Sequence, residues 1–133
     1  MIKQIAVFLE NREGKASACC KVLKDVGVNL IALSIADTKE FGILRLITDD
    51  NAKALSALKA EGYLCSEVDL IGVEIPHEAG ALSDLLIALG EGGVNVEYMY
   101  SFAGADSHAQ IGFKTATPEK AVAVLEKAGA KII

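Results

Sequence analysis

The sequence predicts an α+β protein made of two consecutive βαββαβ units, each with a four-stranded antiparallel sheet and both helices on one face. A shift of 66 positions lays residues 5–33 over residues 71–99 without a gap, and 8 of the 29 aligned pairs are identical, where chance gives about two. Short alternating apolar stretches, typical of strands, are separated by stretches with the 3.6-residue period of helices. We therefore expect an internal duplication with units at 1–67 and 68–133.

In each copy an alternating apolar stretch marks the first strand. Its buried face is predicted to consist of Ile5, Val7 and Leu9 in the first copy and of Ile71, Val73 and Ile75 in the second. A polar, turn-prone loop follows in both copies. It ends at Gly14 and Gly80, where glycine permits a positive φ or the close approach of a ligand.

The first helix of each unit is predicted from apolar residues at positions i, i+3, i+4 and i+7. These buried positions are Ala16, Cys19, Cys20 and Leu23 in the first copy and Leu82, Leu85, Leu86 and Leu89 in the second. Because Cys19 and Cys20 stand where the second copy has leucines, we interpret them as small core residues rather than as a redox or metal-binding pair. Gly27 and the pair Gly92-Gly93 end the two helices.

The remaining elements follow in the same order in both copies. Second strands are predicted at 28–36 and 94–102, and third strands at 43–48 and 110–115. Second helices begin near Asp50 and Thr117; Thr117 has the side chain of an N-cap, and Pro118 suits the first helical position. Fourth strands at 63–67 and 130–133 complete sheets of order 4-1-3-2, so each second strand lies at an edge with unpaired backbone groups. The continuous apolar run at 28–36 predicts that the outer sheet face is covered.

The overall composition argues against nucleic-acid and membrane binding. The net charge is −5, the pI is about 5.0, and no Lys/Arg-rich run is present to neutralise phosphates. No apolar run approaches the ~18 residues of a membrane span, and the chain opens on a strand pattern rather than a signal peptide, so we expect a cytoplasmic protein. The three cysteines have no metal-ligand spacing, and their odd number argues against a disulfide framework. Neither a metal nor a cofactor is expected.

The chemistry is expected at the loop before each first helix and at the Gly-Val-Asn triplet before each second strand. Free N–H groups at a helix start suit a carboxylate, whereas carbonyl groups along an unpaired strand edge suit an ammonium group. The amides of Asn29 and Asn95 add donors and acceptors that orient a ligand, although a tight turn alone also accounts for Asn after Gly. The candidate ligand-binding residues are Asn11, Arg12, Glu13, Gly14, Lys15, Ala16, Asn29 and Leu30 in the first copy, and His77, Glu78, Ala79, Gly80, Ala81, Leu82, Asn95 and Val96 in the second.

These motifs resemble a known family. A βαββαβ unit with "ENREG" or "PHEAG" after the first strand and "GVNL" or "GVNV" opening the second resembles the ACT domain, a ferredoxin-like regulatory module that senses amino acids in enzymes such as phosphoglycerate dehydrogenase and aspartokinase. The resemblance covers the whole chain. It implies a free amino acid as ligand, a regulated metabolic enzyme as partner and no catalysis.

The resemblance transfers to some positions and not to others. In serine-regulated members the loop reads approximately His-x-Asn-x-Pro-Gly, and Asn11, Gly14 and Asn29 match this pattern in the first copy, as Gly80 and Asn95 do in the second. The departures are Leu9 and Ile75 for the loop His, Glu13 and Ala79 for the loop Pro, and His77 for the second-copy Asn. The identity of the ligand therefore does not transfer.

Three other functions are weighed against this one. Acylphosphatases share the strand order, but neither copy has the glycine-rich loop that would cradle a phosphate. A heavy-metal carrier of this fold would place Cys-x-x-Cys in the loop after the first strand, and both loops lack cysteine. An interaction module without a ligand, binding a partner protein through its edge strands, remains open.

The resemblance also predicts a homodimer, because ACT domains often pair through their second strands. In such a pair, the fourth strand of one unit and the first strand of the next lie roughly 29 Å apart at ~4.8 Å per strand. The two residues between Glu67 and Leu70 reach only roughly 10 Å. Within one chain the copies therefore meet face to face, through fourth-strand edges, or with exchanged fourth strands. We expect ligand pockets where one unit's Gly14 or Gly80 loop faces the second strand of another unit.

Overall fold

The computed structural model describes residues 1–37, 40–102 and 107–133, and it confirms the two βαββαβ units. The chain divides into two compact units. The N-terminal unit comprises Lys3–Val68, and the C-terminal unit comprises Asp69–Ile133 together with Met1–Ile2. The N-terminus joins the second unit because the Met1 ammonium group donates to the carbonyl of Ile133 at 3.3 Å.

The N-terminal unit contains three strands, two helices and the start of a fourth strand. The elements are β1 Ile2–Glu10, α1 Lys15–Asp25, β2 Leu30–Asp37, β3 Phe41–Thr48, α2 Asn51–Ala60 and β4 Cys65–Pro76. The strand order is β2-β3-β1-β4, which is the predicted order. In the antiparallel register, Leu44 on β3 lies opposite Val7 on β1 and opposite Ile35 on β2.

The C-terminal unit repeats this arrangement around the second half of β4. Its further elements are α3 Ala81–Glu91, β5 Tyr98–Phe102, β6 His108–Lys114, α4 Pro118–Lys127 and β7 Lys131–Ile132. The strand order is β5-β6-β4-β7, again as predicted. Val73 on β4 lies opposite Ile111 on one side and Ile132 on the other.

Strand β4 belongs to both units, which the sequence did not indicate. The predicted fourth strand of the first copy and first strand of the second are one continuous strand from Cys65 to Pro76. The fourth strands are not exchanged. The N–H of Phe8 donates to the carbonyl of Leu64 at 3.0 Å, and β7 pairs with the second half of β4, so each fourth strand lies in its own unit's sheet.

Each unit has its own apolar core between its sheet and its two helices. The predicted inner faces of the first strands are all buried. The prediction for the first helices was wrong at Leu82 and Leu86, which are 41% and 37% exposed, and Cys20 is only half-buried rather than part of the core. In α3 only Leu85 and Leu89 of the predicted stripe are buried, and in α1 only Cys19 and Leu23, so each helix buries a narrower face than the apolar pattern predicted.

Several element ends differ from the prediction. Strand β5 begins at Tyr98 rather than at Val94, and the fourth strands begin two residues and one residue later than predicted, at Cys65 and Lys131. Asp50 caps α2, accepting the N–H of Lys53 at 3.1 Å. Thr117 does not cap α4 with its side chain: its hydroxyl lies 3.5 Å from the Thr115 hydroxyl instead, and its N–H donates to that hydroxyl at 3.3 Å. Pro118 begins that helix as predicted.

The edge strand β2 exposes apolar side chains in the described part of the chain. Ile31, Leu33 and Ile35 are each about half exposed. The sequence predicted a covered outer face, but the register places Leu33 and Ile35 opposite Leu46 and Leu44, on the same face as the helices. They are exposed because they stand at the edge of that face, where the helices of this unit do not cover them.

Two features are absent from the residues that the structure describes. None of their helices has the length and apolar character that a membrane crossing requires. No three His, Cys, Asp or Glu side chains in the described ranges are grouped closely enough to hold a metal ion.

Candidate functional site

Helices α1 and α3 begin with the same geometry in the two units. Gly14 and Gly80 precede them with φ of +79° and +91°, the left-handed region that favours glycine. The carbonyl of each glycine accepts the N–H four residues on, at 3.0 and 2.9 Å. Neither helix has a side-chain cap. The first N–H of each helix donates to the loop carbonyl three residues back, at 3.3 Å in both units. The N–H groups of the second and third helical residues therefore remain suited to an anion.

The loop before α1 closes one side of a cavity of about 90 Å³, which we name the loop cavity. Three of the predicted site residues, Asn11, Arg12 and Ala16, come together here. The other lining residues are Leu9, Glu10, Ile35, Gly42, Ile43 and Leu44. The cavity thus combines an apolar floor from three strands with a polar rim from one loop.

Arg12 supplies the positive charge of this rim. Its guanidinium lies 3.0 Å from the Glu10 carboxylate, and both side chains are mostly exposed. An exposed ion pair of this kind contributes little to stability. A ligand carboxylate can therefore compete with Glu10 for the guanidinium at little cost.

The other predicted loop residues are placed differently. Glu13 and Gly14 are exposed and do not line the loop cavity. Lys15 lines a second cavity of about 490 Å³, which shares only Leu9 and Glu10 with the loop cavity. Residues from the same stretch, the loop before α1 and the start of that helix, therefore line two different cavities.

Asn29 and Leu30 lie at the opposite end of their unit from the Gly14 loop. The N–H of Asn29 donates to the Asp49 carboxylate at 3.0 Å, and the N–H of Asp49 donates back to the Asn29 carbonyl at 3.1 Å. Leu30 pairs with Thr48, whereas the other end of β2 pairs with Gly42 beside the loop cavity. At ~3.3 Å per residue, β2 separates the two ends by roughly 23 Å. One unit alone does not bring the loop and the Gly-Val-Asn triplet together.

The C-terminal unit carries different side chains at the positions that correspond to the loop cavity. Glu78, Leu82 and Ala109 stand where the N-terminal unit has Arg12, Ala16 and Gly42. The first turn of α3 also holds Asp84, whereas the first turn of α1 has no acidic residue. A carboxylate is therefore favoured at the start of α1 and disfavoured at the start of α3.

The remaining predicted residues of the C-terminal unit are scattered. His77, Glu78, Ala79 and Asn95 are exposed, and the N–H of His77 donates to the Ser107 carbonyl at 2.7 Å. Ala81 and Val96 are half-buried and pack against the core of their unit. As in the first unit, Asn95 precedes the strand and the Gly80 loop lies at its far end, where Phe102 on β5 pairs with Gln110.

Sequence reasoning missed the strand residues of the loop cavity, which are Ile35, Gly42, Ile43 and Leu44. Their approach to the loop depends on the antiparallel register that sets Gly42 beside both Leu9 and Asp37. One feature of the sequence weakly indicates this approach of the strand residues to the loop. Gly42 is a glycine inside a strand, which often marks a place where another group approaches closely.

Comparison with known proteins places these features in context. The family described as "ACT domain pair" matches residues 1–132. The crystal structure of protein BT0572 from Bacteroides thetaiotaomicron has a TM-score of 0.92 and 36% sequence identity, covering 99% of this chain and 91% of that one. The ligand-free regulatory subunit of aspartate kinase from Thermus thermophilus has a TM-score of 0.68 at 17% identity, covering 95% and 91%. No curated protein matches the sequence.

Proposed function

Because this chain belongs to the family of ACT domain pairs, we propose that it is an amino-acid sensor that regulates a partner enzyme and has no turnover of its own. The observation that carries the proposal is the loop cavity, where Asn11, Arg12 and Ala16 meet above an apolar floor. The likeness of the fold to the regulatory subunit of aspartate kinase supports a regulatory role.

The loop cavity offers distinct places for the parts of an amino acid. The ligand carboxylate binds between the Arg12 guanidinium and the first-turn N–H groups of α1, where charge and helix dipole act together. An aliphatic side chain packs against Leu9, Leu44 and Ile35. The Glu10 carboxylate, released from Arg12 by the ligand, becomes an acceptor for the ammonium group.

The size of the cavity requires a second surface to complete it. A cavity of about 150 Å³ accommodates a benzene molecule, so about 90 Å³ holds only part of a free amino acid. Ile35 stands half exposed at its mouth on the unpaired edge of β2. We propose that β2 of a second copy of the chain closes the mouth and brings Asn29 to the ligand, as the predicted homodimer requires.

The proposal assigns the ligand to the N-terminal unit. Arg12 attracts a carboxylate and Glu78 repels one. Ala16 leaves room beside the loop, and Leu82 would fill the same room in the other unit. The expected stoichiometry is one ligand per chain.

Thermal unfolding with each of the twenty amino acids in turn tests this function. A ligand that binds only the folded state at ~100 times its Kd adds ~2.7 kcal/mol to the free energy of unfolding. We expect a clear rise in Tm with one or a few amino acids. Twenty unchanged melting curves at millimolar ligand would contradict the proposal.

A second candidate function is favoured by the exposed apolar side chains of β2. Ile31, Leu33 and Ile35 suit strand addition by a partner protein, without any small ligand. The same melting series separates the two functions. No shift with any amino acid, together with a dimer in sedimentation, would favour the interaction module.

A further inference from the structure

Helix α3 exposes three large apolar side chains on its outer surface. Leu82 is 41%, Leu86 37% and Ile87 54% exposed. Leu82 and Leu86 lie one turn apart on the same side of the helix. The small residue Ser83, which neighbours both Leu86 and Ile87, joins Ile87 to this pair. We name the surface formed by Leu82, Leu86 and Ile87 the α3 face.

The N-terminal unit has no such surface at the corresponding positions of α1. These positions hold Ala16, Cys20 and Lys21. Both units nevertheless have the same strand order and a complete apolar core of their own. The fold therefore does not require large apolar side chains here, and grouped exposed apolar side chains are typical of interaction sites.

The negative charge of the protein is concentrated in the same unit as the α3 face. The N-terminal unit contains nine acidic residues (Asp, Glu) and nine basic residues (Lys, Arg) in its sequence, whereas the C-terminal unit contains nine acidic and four basic ones. No Lys or Arg occurs between Lys59 and Lys114, a stretch that includes all of α3. The whole net charge of −5 therefore belongs to the C-terminal unit.

Two carboxylates border the α3 face. Asp84 and Glu91 lie three residues before and four residues after Ile87, which places both beside it on the helix surface. Both are exposed, and in the described part of the chain neither forms an ion pair. Lys127 of α4 lines a cavity together with Glu91 but is not paired with it. The surface thus combines an apolar centre with a negative border.

These charges decide which kind of partner suits the α3 face. The same face of a second copy is disfavoured, because α3 has acidic and no basic side chains and two such helices would repel each other. We propose that the α3 face docks an amphipathic helix of a partner protein, with an apolar side flanked by Lys or Arg. Leu82, Leu86 and Ile87 pack against the apolar side, and the two carboxylates meet the basic residues at the rim.

The inference rests on the proposed function in one respect, the expectation of a protein partner. It involves neither the amino-acid ligand nor the loop cavity, which lies in the other unit. Docking at the α3 face and a rise of Tm with an amino acid are therefore separate observations, and the failure of one leaves the other standing.

A fluorescein-labelled amphipathic peptide of leucine and lysine, about 18 residues long so that it forms a helix, serves as the probe. Fluorescence anisotropy with the full chain should show binding that weakens as the NaCl concentration rises. A peptide of the same composition in scrambled order keeps the charge but has no apolar side, so it should bind at least about tenfold more weakly. Undetectable binding, or equal binding of the two peptides, would overturn the proposal.

The double variant Leu82→Ala, Ile87→Lys transfers two residues of α1 to the α3 face. It should bind the peptide at least about tenfold more weakly, because it removes apolar contacts and places a cation among them. It should keep the oligomeric state of the parent. A change of oligomeric state would show instead that the α3 face joins copies of this chain, and it would overturn the proposal, as would unchanged peptide binding.

The carboxylates are tested without altering the apolar side chains. Asp84→Asn combined with Glu91→Gln should weaken peptide binding at least about threefold. The matched control, Glu119→Gln with Glu126→Gln, removes two exposed charges from α4 of the same unit and should leave binding unchanged. Equal losses in the two variants would show that the peptide responds only to net charge, which would contradict a specific docking surface.

Discussion

Arg12 and Ala16 are two of the residues that distinguish the loop cavity from the corresponding positions of the C-terminal unit. Replacing each by the residue of the other unit, Arg12→Glu and Ala16→Leu, should weaken binding of the amino acid found in the melting series. We expect a loss of roughly 1–3 kcal/mol for the charged contact, and a comparable loss where leucine fills the cavity. Isothermal titration measures both.

The matched control for Arg12→Glu is Lys53→Glu, which makes the same change of charge at an exposed position in the first turn of α2. It should bind the ligand as the parent does. Both loop variants should keep the parent's free energy of unfolding without ligand, because the C-terminal unit folds with Glu78 and Leu82 at these positions. Unchanged affinity in both would contradict the assignment of the ligand to the N-terminal unit.

Because of Cys19, the stability of the N-terminal unit should fall at alkaline pH. Burial, together with the nearby Cys20 and Cys65, raises the pKa of the Cys19 thiol from 9.0 to about 11. Because the pKa is higher in the folded state, this stabilisation is complete below pH 9 and is lost as the pH rises towards 11. Urea unfolding should show a steeper fall between pH 9 and 11 for the parent than for Cys19→Ala. Equal slopes would contradict it.

Gly14, at the start of α1, and Gly90, inside α3, should respond in opposite ways to replacement by alanine. Gly14→Ala forces an L side chain into φ of +79°, which should lower the free energy of unfolding by ~1–2 kcal/mol. Gly90 lies in α3 with a negative φ and nothing within 4 Å of an added methyl group, so Gly90→Ala should raise it by about 1 kcal/mol. Urea midpoints that move in the same direction for both variants would contradict this reading of the helix start.

At the scale of the whole molecule, the unpaired edge of β2 should determine both the formation of the homodimer and the binding of the amino acid. We expect a homodimer in sedimentation velocity at micromolar concentration. Leu33→Lys places a charge on the exposed edge strand and should give monomers that no longer bind the amino acid. Leu64→Lys, an equally drastic change at an exposed leucine away from β2, should leave the dimer intact. A parent that is strictly monomeric would contradict the proposed closure of the loop cavity.

Asn29 provides an independent test of that closure. Its N–H is held by Asp49, so the turn survives truncation of the side chain. If a second copy brings Asn29 to the ligand, Asn29→Ala should weaken binding by roughly 1–3 kcal/mol while the unliganded protein stays as stable as the parent. Melting curves with and without ligand measure both quantities. An equal loss of stability in both conditions would show that the residue only forms a turn.

The sequence by itself determined the architecture of each unit. Periodicity predicted the helices and the buried strand faces of Ile5 and Ile71, because these depend on patterns within a few residues. Together with the repeat at 66 positions it also predicted the sheet order, because few topologies are compatible with this order of elements. It also indicated the loops before Gly14 and Gly80. The sequence did not predict the strand ends or the continuity of β4, because no local sequence pattern shows where the hydrogen bonding between neighbouring strands ends.

Only the tertiary structure decided how the candidate residues are grouped. The register of β3 brings Gly42 and Ile35 to the Gly14 loop and carries Asn29 to the far end of the same unit. It also separates Arg12 from Lys15, three residues apart in sequence, onto two different cavities. The physical reason is that a site is made by residues from several strands. Which of them face one another follows from backbone pairing over the whole sheet and from no single stretch of the chain.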